Sequence, residues 1–472
     1  MVVGEIEIGT DVLIAGAGPA GYTAAIRCAQ LGLDVTLVNN DQLGGICLHK
    51  GCIPVKTILH VFDMANDCKG AADKGLIAKD VTVDLKKTYA WKDRVVAKLE
   101  NGIRELCKGN GVQVMNGFCT FLSSSKALIN GPEGSQHISF NRAVIATGTR
   151  YKEIPGLPFD GRHIIDTDDT LNFDRIPEDM VIAGGGYEAI TMGSLLAAMG
   201  TRLTLIHKGE KLLPFLDDDI MQPVMETFKR KGVRVVSNAS WTASVSGDRV
   251  KIDIDSGGKK ETLETKILLV AAGNAGNTDR LGLENTRVKT DKNGFVIADD
   301  SFLTGDPSIY AIGDVKCGHC NASKAFREGA SIAEVLAGRT GLPEYTVMPY
   351  TVSSDPEIAS AGMSEHEAKN VGIDVLVARS PFIANGKAVS IGKTEGFVKV
   401  VAERSTHRIL GFHIVGPRAF DIIDEALLAI EMGARLEDVS LTIHPHPALC
   451  ETLKEACAMA LGVSVNNIEK IR

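Results

Sequence analysis

A strand, three spaced glycines, a helix and a second strand near the N-terminus, with the same order repeated from Met180, predict an α/β protein with two Rossmann-like dinucleotide-binding domains. The 472 residues leave room for roughly three domains of about 150 residues each, and 44% hydrophobic with 23% charged side chains is the balance of a globular protein with large cores. The first unit opens with Asp11 to Ala15 (DVLIA), a short apolar run, followed by Gly16, Gly18 and Gly21 in GAGPAG. A helical run to Leu31, Gly32 and a second apolar run from Asp34 to Val38 (DVTLV) complete a βαβ pattern. The first glycine makes the tight turn, the second admits a pyrophosphate to the backbone, and the third lets the helix pack on the strand with its N-terminus toward the phosphates.

The echo runs from Met180 to Ala183 (MVIA) through Gly184, Gly185 and Gly186, a helix to Met199, Gly200, and Arg202 to Ile206 (RLTLI). Two nucleotide sites are the economical reading, one for a flavin and one for a nicotinamide; a duplication kept only for its fold would leave the same echo. Glycine- and proline-bearing joints near Arg150 to Pro158 and Gly273 to Thr278 suit boundaries.

Composition excludes other classes. The 51 basic and 59 acidic side chains leave a net charge of -8, so no nucleic-acid partner held by phosphate electrostatics is expected. No stretch approaches the ~18 uncharged apolar residues of a membrane helix. Met1 to Thr10 carries Glu5 and Glu7 without a basic start or apolar core, so no signal peptide is expected and the chain reads as cytoplasmic with no membrane partner. Its 10 cysteines are too sparse for a disulfide scaffold, and a close pair in a reducing compartment points to catalysis, redox exchange or metal binding.

The sharpest segment is Gly44-Gly45-Ile46-Cys47-Leu48-His49-Lys50-Gly51-Cys52-Ile53-Pro54-Val55-Lys56. On a regular helix Cys47 and Cys52 stand too far apart to bridge, because a disulfide wants Cα atoms within about 7 Å, so the backbone must bend. Gly44, Gly45, Gly51 and Pro54 supply that bend, and a nearby helix start with His49 and Lys50 would favour thiolate and disulfide exchange. Two unrelated core cysteines are the alternative; a zinc site lacks a second CxxC or HxxxH, and no metal is expected.

This segment resembles the class I pyridine nucleotide-disulfide oxidoreductases, whose pattern is GGxCxxxGCxPxK, and the resemblance runs almost end to end. Ala146-Thr147-Gly148, Thr304 to Val315 (TGDPSIYAIGDV) and Tyr350 to Gly362 (YTVSSDPEIASAG) carry it further. It implies a C-terminal α+β dimerisation domain and four segments: FAD-binding 1–150, NAD(P)-binding 151–276, a central segment 277–347 completing the FAD site, and an interface domain 348–472. By that resemblance Cys47 is the interchange thiol and Cys52 the charge-transfer thiol. Gly16, Gly18, Gly21, Asn39, Lys56, Gly117, Thr147, Gly148, Asp314 and Ala322 would serve FAD. Gly184, Gly186, Ala189, His207 and Gly273 would serve NAD, with NADP also possible.

Near the C-terminus, His444-Pro445-His446-Pro447-Ala448-Leu449-Cys450-Glu451 resembles HxHPTxxE, the acid-base segment of dihydrolipoamide dehydrogenases. A histidine titrating near neutrality can take and return a thiol proton when a carboxylate orients its other nitrogen. The resemblance gives those roles to His446 and Glu451, leaves His444 structural, and brings the dyad from a partner subunit, implying an obligate homodimer. The implied reaction is electron exchange between a lipoyl domain or free lipoamide and a nicotinamide. Rival readings are a reductase of another disulfide or a metal ion, and a structural lipoyl-domain-binding flavoprotein.

Departures from the family pattern gather on nucleotide contacts. Asn39 stands where an acid usually holds the FAD ribose, and its amide oxygen can still accept those hydroxyls. In Gly184-Gly185-Gly186-Tyr187-Glu188-Ala189-Ile190-Thr191 a glutamate enters the helix start, where it either faces a pyrophosphate or points to solvent as a cap, and Thr191 replaces a later glutamate. His207-Lys208 stands where NAD enzymes carry an acid, and Asn274 replaces an arginine, which together suit a 2′-phosphate and lead us to expect impaired use of NAD. Cys317-Gly318-His319-Cys320, a CxxC after Asp314, is read either as an auxiliary redox pair or as two incidental small residues.

Overall fold

The structure is a computed structural model that describes residues 8–40, 42–316, 320–340 and 345–466. The chain forms two compact units, one of residues 1–154, 166–175 and 273–344, the other of residues 155–165, 176–272 and 345–472.

In the first unit, β1 (Ile8–Ala15), α1 (Pro19–Gln30) and β2 (Val35–Asn39) realise the first βαβ pattern, with β1 and β2 parallel in the register Val12↔Val35. β2 and the Val12–Ala15 part of β1 are wholly buried, which is why they read as continuous apolar runs without alternation. The sheet continues on one side to Gln113–Asn116 and on the other to Gly134–Ile145, which also pairs in parallel with Ile309–Ala311. That last strand brings the second half of the chain into the first sheet. One face of the sheet is filled by α1 and the Ala322–Leu336 helix, with Ile14, Leu37, Val144, Ile312 and Ile332 at their contact. Two further helices matter for the chemistry: α2 (Gly45–His49) and α3 (Cys52–Lys69).

The second unit holds a parallel sheet in the order Arg234–Val236, Arg202–Ile206, Asp179–Ala183, Leu268–Val270 and Ile164–Ile165. The Tyr187–Met199 helix follows the glycine run and is buried on most sides. A separate antiparallel sheet runs in the order Tyr350–Val352, Glu357–Gly362, Ile409–Gly416, Phe397–Glu403 and Val375–Pro381. The helices Ala419–Glu431 and Glu451–Ala460 pack on it through Ile422, Ala426, Leu453 and Ala456, giving the α+β C-terminal domain.

Candidate active site

The first glycine turn is shaped for a phosphate. Gly16 has φ +106°, and a Cβ there would lie 2.3 Å from the Ala146 carbonyl oxygen, so no larger residue fits without moving the sheet. Gly18 is the N-cap of α1 with no side-chain cap bond, Gly21 lies in the buried first turn, and that turn holds no acid, leaving its N–H groups for an anion. Asn39 is buried at the end of β2, and its carbonyl accepts from the Gly117 N–H at 2.8 Å, so these two expected positions meet.

Thr147 and Gly148 follow the Gly134–Ile145 strand and are held by Asn277, a residue that no motif singled out. The Asn277 Nδ2 donates to the carbonyls of Thr147 (3.1 Å) and Thr149 (2.9 Å), and the Thr147 hydroxyl donates to the Asn277 carbonyl (2.7 Å). Asp314 accepts from the Asn321 N–H at 3.1 Å, and the Asn321 side chain caps the helix that begins at Ala322. Burial pushes the Asp314 carboxyl up, opposed by Asn321 and the Lys324 ammonium. Lys324 lies 3.4 Å from Glu328, both almost fully buried, and the other Glu328 oxygen accepts from the Gly313 N–H at 2.6 Å. Among the described residues the buried Lys324 Nζ has no hydrogen-bond partner. A bare helix start, a cradle that a Cβ at Gly16 would fill and a buried ammonium with spare donors together fit FAD, with a pyrophosphate at α1 and an acceptor at Asp314.

The bend expected between the cysteines is a break between two helices. α2 is a single turn that ends at Lys50, and α3 restarts at Cys52 after Gly51. Gly45, at φ +64°, approaches so closely that its Cβ would lie 2.7 Å from the Gly18 Cα, which sets the redox turn against the phosphate turn. Cys47 is half-buried and Cys52 exposed, and their side chains are in hydrogen-bond contact with one another. The bond from Cys47 pulls the Cys52 thiol down to about 7 against desolvation, helped by Lys56 one turn along α3 and by the Cys52 backbone N–H. The same contact, with burial, pushes Cys47 up. By contrast Cys28 and Cys119 are pushed up to about 12 by burial and are inert. Of the CxxC motif, Cys317 and His319 lie outside the described residues; Cys320 is half-buried.

In the second unit Gly184 and Gly186 form the turn into the Tyr187–Met199 helix, and Ala189 is buried in its first turn. Glu188 is half-buried, and its charge, after burial itself, helps push up the hydroxyl of Tyr350, whose ring meets Phe215 edge-on at 4.5 Å. Glu188 thus stands near a half-buried phenol at the helix start. His207 is buried with Nε2 3.0 Å from the Ser237 hydroxyl, and burial lowers its pKa, so the exposed cation at this strand end is Lys208. Gly273 opens a segment grouped with the first unit, and its carbonyl accepts from the Lys152 N–H at 3.0 Å.

The C-terminal dyad is formed within the second unit. His446 Nδ1 lies 2.9 Å from Glu451, whose other oxygen accepts from the Ala448 N–H at 2.8 Å. Desolvation pushes the Glu451 carboxyl up, but that N–H and His446 together hold it below the usual range. The His446 side chain is 77% exposed, leaving Nε2 for a reacting proton. His444 is instead buried, with Nε2 2.8 Å from Glu425 and Nδ1 donating to the Thr442 carbonyl. Ile443 and Leu441 beside it are 94% and 80% exposed, an apolar surface of the kind a subunit contact covers.

The chain belongs to the pyridine nucleotide-disulphide oxidoreductase family, whose profile matches residues 10–329 and whose dimerisation-domain profile matches residues 348–457. It is 40% identical over 471 residues, covering 100% of both chains, to the dihydrolipoyl dehydrogenase of Geobacillus stearothermophilus. It is also 40% identical over 476 residues to that of Halobacterium salinarum, again covering 100% of each. Among solved structures, LpdA from Mycobacterium tuberculosis superposes with a TM-score of 0.89 over 95% of this chain and 99% of that one at 24% identity, which speaks to the fold alone. The HOCl-induced flavoprotein disulfide reductase RclA from Escherichia coli gives a TM-score of 0.84 at 24% identity, covering 95% of this chain and 99% of that one. The chain is therefore an oxidoreductase of a family that uses FAD and NAD(H), and its dimerisation domain supports a homodimer. Among the described residues no helix is long and apolar enough to cross a membrane.

Proposed function

We propose that the chain is a FAD-dependent dihydrolipoyl dehydrogenase, divided into the segments 1–150, 151–276, 277–347 and 348–472, that passes electrons from a lipoyl dithiol to NAD(P) through a Cys47–Cys52 disulfide. The observation that carries this reading is geometric: the break between α2 and α3 brings Cys47 into contact with Cys52, with Lys56 one turn further along α3, and that contact holds the Cys52 thiol low and the Cys47 thiol high. In disulfide exchange the sulfur with the lower pKa leaves faster, so an incoming thiolate attacks Cys47 and expels Cys52.

His446, oriented by Glu451 at 2.9 Å, takes the proton from one lipoyl thiol, and that sulfur bonds to Cys47 as the S–S bond to Cys52 breaks. The second lipoyl thiol attacks the first lipoyl sulfur, closing the lipoyl disulfide as the bond to Cys47 breaks, and its proton passes to the departing Cys47 thiolate. Cys52 remains as a thiolate beside Lys56. FAD, when bound, supplies the two-electron chemistry that links this dithiol to a nicotinamide. A dyad donated by the partner subunit accords with the 77% exposure of His446 and with the exposed apolar residues around it. Free lipoamide or a lipoyl domain is the substrate of this reading, and the cytoplasm its compartment.

Cys47→Ser tests it. The variant is expected to keep bound yellow flavin and lose turnover with dihydrolipoamide; unchanged turnover refutes the assignment. For the nicotinamide we propose weakened use of NAD, because Glu188 sets a negative charge at a helix start and the Arg202–Ile206 strand ends in His207-Lys208 rather than in an acid. Flavin reduction by NADH and by NADPH in a stopped-flow instrument decides this, and fast reduction at micromolar NADH excludes it.

A further inference from the structure

The motif leaves Lys50 without a role, although it stands in the break between the helices that carry the two cysteines. We propose that Asp168, acting through Lys50, is a positioning residue for the exchange pair: it fixes the short helix bearing Cys47 against the long helix bearing Cys52. The proposal rests on the reading of Cys47 and Cys52 as the exchange pair.

α3 is long and anchored in the core through Val55, Ile58 and Phe62, so Cys52 has little freedom. α2 is one turn whose buried side chain is Leu48, and a single turn is not stable by itself. Two side-chain tethers hold it. His49 Nε2 lies 2.7 Å from the Leu43 carbonyl, a contact inside the same loop. Lys50 Nζ lies 3.4 Å from Asp168 Oδ2, a residue far along the chain. Of these two, the second ties α2 to a different element.

That element is firm. The one-turn Asp168–Asn172 helix is gripped by the buried Lys92, whose Nζ donates to Asn172 Oδ1 (2.7 Å) and the Leu171 carbonyl (3.3 Å). The Asp168 N–H donates to Asp166 Oδ1 at 2.8 Å. Among the described residues the buried Asp168 Oδ1 has no hydrogen-bond partner, so the ion pair with Lys50 falls on the Oδ2 side. Burial and Asp166 push its carboxyl up to about 6, and Lys50 is the cation that opposes them. Position then becomes chemistry: the Cys47–Cys52 contact exists only while α2 stays in place, and a roaming α2 lowers the effective concentration of one sulfur at the other.

The test equilibrates the flavin-loaded enzyme with mixtures of reduced and oxidised dithiothreitol and follows the thiolate-to-flavin absorbance. Asp168→Asn and Lys50→Met are each expected to shift the equilibrium about tenfold toward the dithiol, or ~30 mV, with flavin content unchanged. Lys50→Arg retains the parent value, and the exchange Lys50→Asp with Asp168→Lys returns to within about threefold of it, because the pair is coupled. Single variants within about twofold of the parent overturn the proposal, as does an exchange that recovers nothing. A parent enzyme whose Cys47 and Cys52 take no electrons from dithiothreitol instead removes the exchange reading on which the proposal stands.

Discussion

The two glycine turns share a backbone and differ in what they offer a ligand. In each, a Cβ on the first glycine would lie 2.3 Å from a carbonyl oxygen of a neighbouring strand end, Ala146 for Gly16 and Ala271 for Gly184. In each, a glycine N-cap opens the helix without a side-chain cap bond. Around the first turn no acid enters the helix start, and Asn39, Gly117, Thr147 and Asp314 are held by hydrogen bonds. Around the second, Glu188 enters the helix start, and His207 is folded inward onto Ser237. Close packing of strand on helix preserves the turn, whereas the residues set around it differ between the two units.

The sharpest division of the two turns comes from filling each in turn. Gly16→Val is expected to give colourless protein, since the added carbons meet the Ala146 carbonyl, while Gly184→Val is expected to give yellow protein that dihydrolipoamide still reduces and NADH does not. Absorbance after purification and the two half-reactions measure this; loss of flavin from both breaks the comparison. Next in size, His446→Gln should slow flavin reduction by dihydrolipoamide about 10²- to 10⁴-fold and leave reduction by nicotinamide unchanged. Equal slowing of both half-reactions would contradict its place on the thiol side.

A pH profile probes the first unit further. Because the Cys52 thiol is pulled down to about 7, the thiolate-to-flavin absorbance of the reduced enzyme should grow as pH rises through that value and fade as it falls. A band that persists in acid assigns it to another group. Smallest, Glu188→Ala should tighten NADH about fivefold, the scale of one charge at a helix end, as read by fluorescence titration. Weaker binding would mean that Glu188 helps hold the dinucleotide.

Much of this was legible in residue order. The apolar runs at Asp11–Ala15 and Asp34–Val38 became β1 and β2 because a parallel strand buried on both faces needs such a run. The bend between Cys47 and Cys52 was legible because a regular helix holds them too far apart to bridge, and the glycines beside them say where it yields. Glu451 was visible as the partner of His446 because both lie in one short motif. Asn277 on Thr147, Lys92 on Asn172 and Asp168 on Lys50 were not, since each pair is distant along the chain and leaves no spacing to read.

The sequence by itself determined the two βαβ units, the redox motif and the acid-base segment, since these depend on local propensity and periodicity that a linear string records. Only the tertiary structure decided how closely Gly45 of the redox turn approaches Gly18, that His207 is buried while Lys208 is exposed, and which distant carboxylate holds Lys50. Burial and electrostatic neighbours fix those properties, and both come into being when separate stretches of chain pack together.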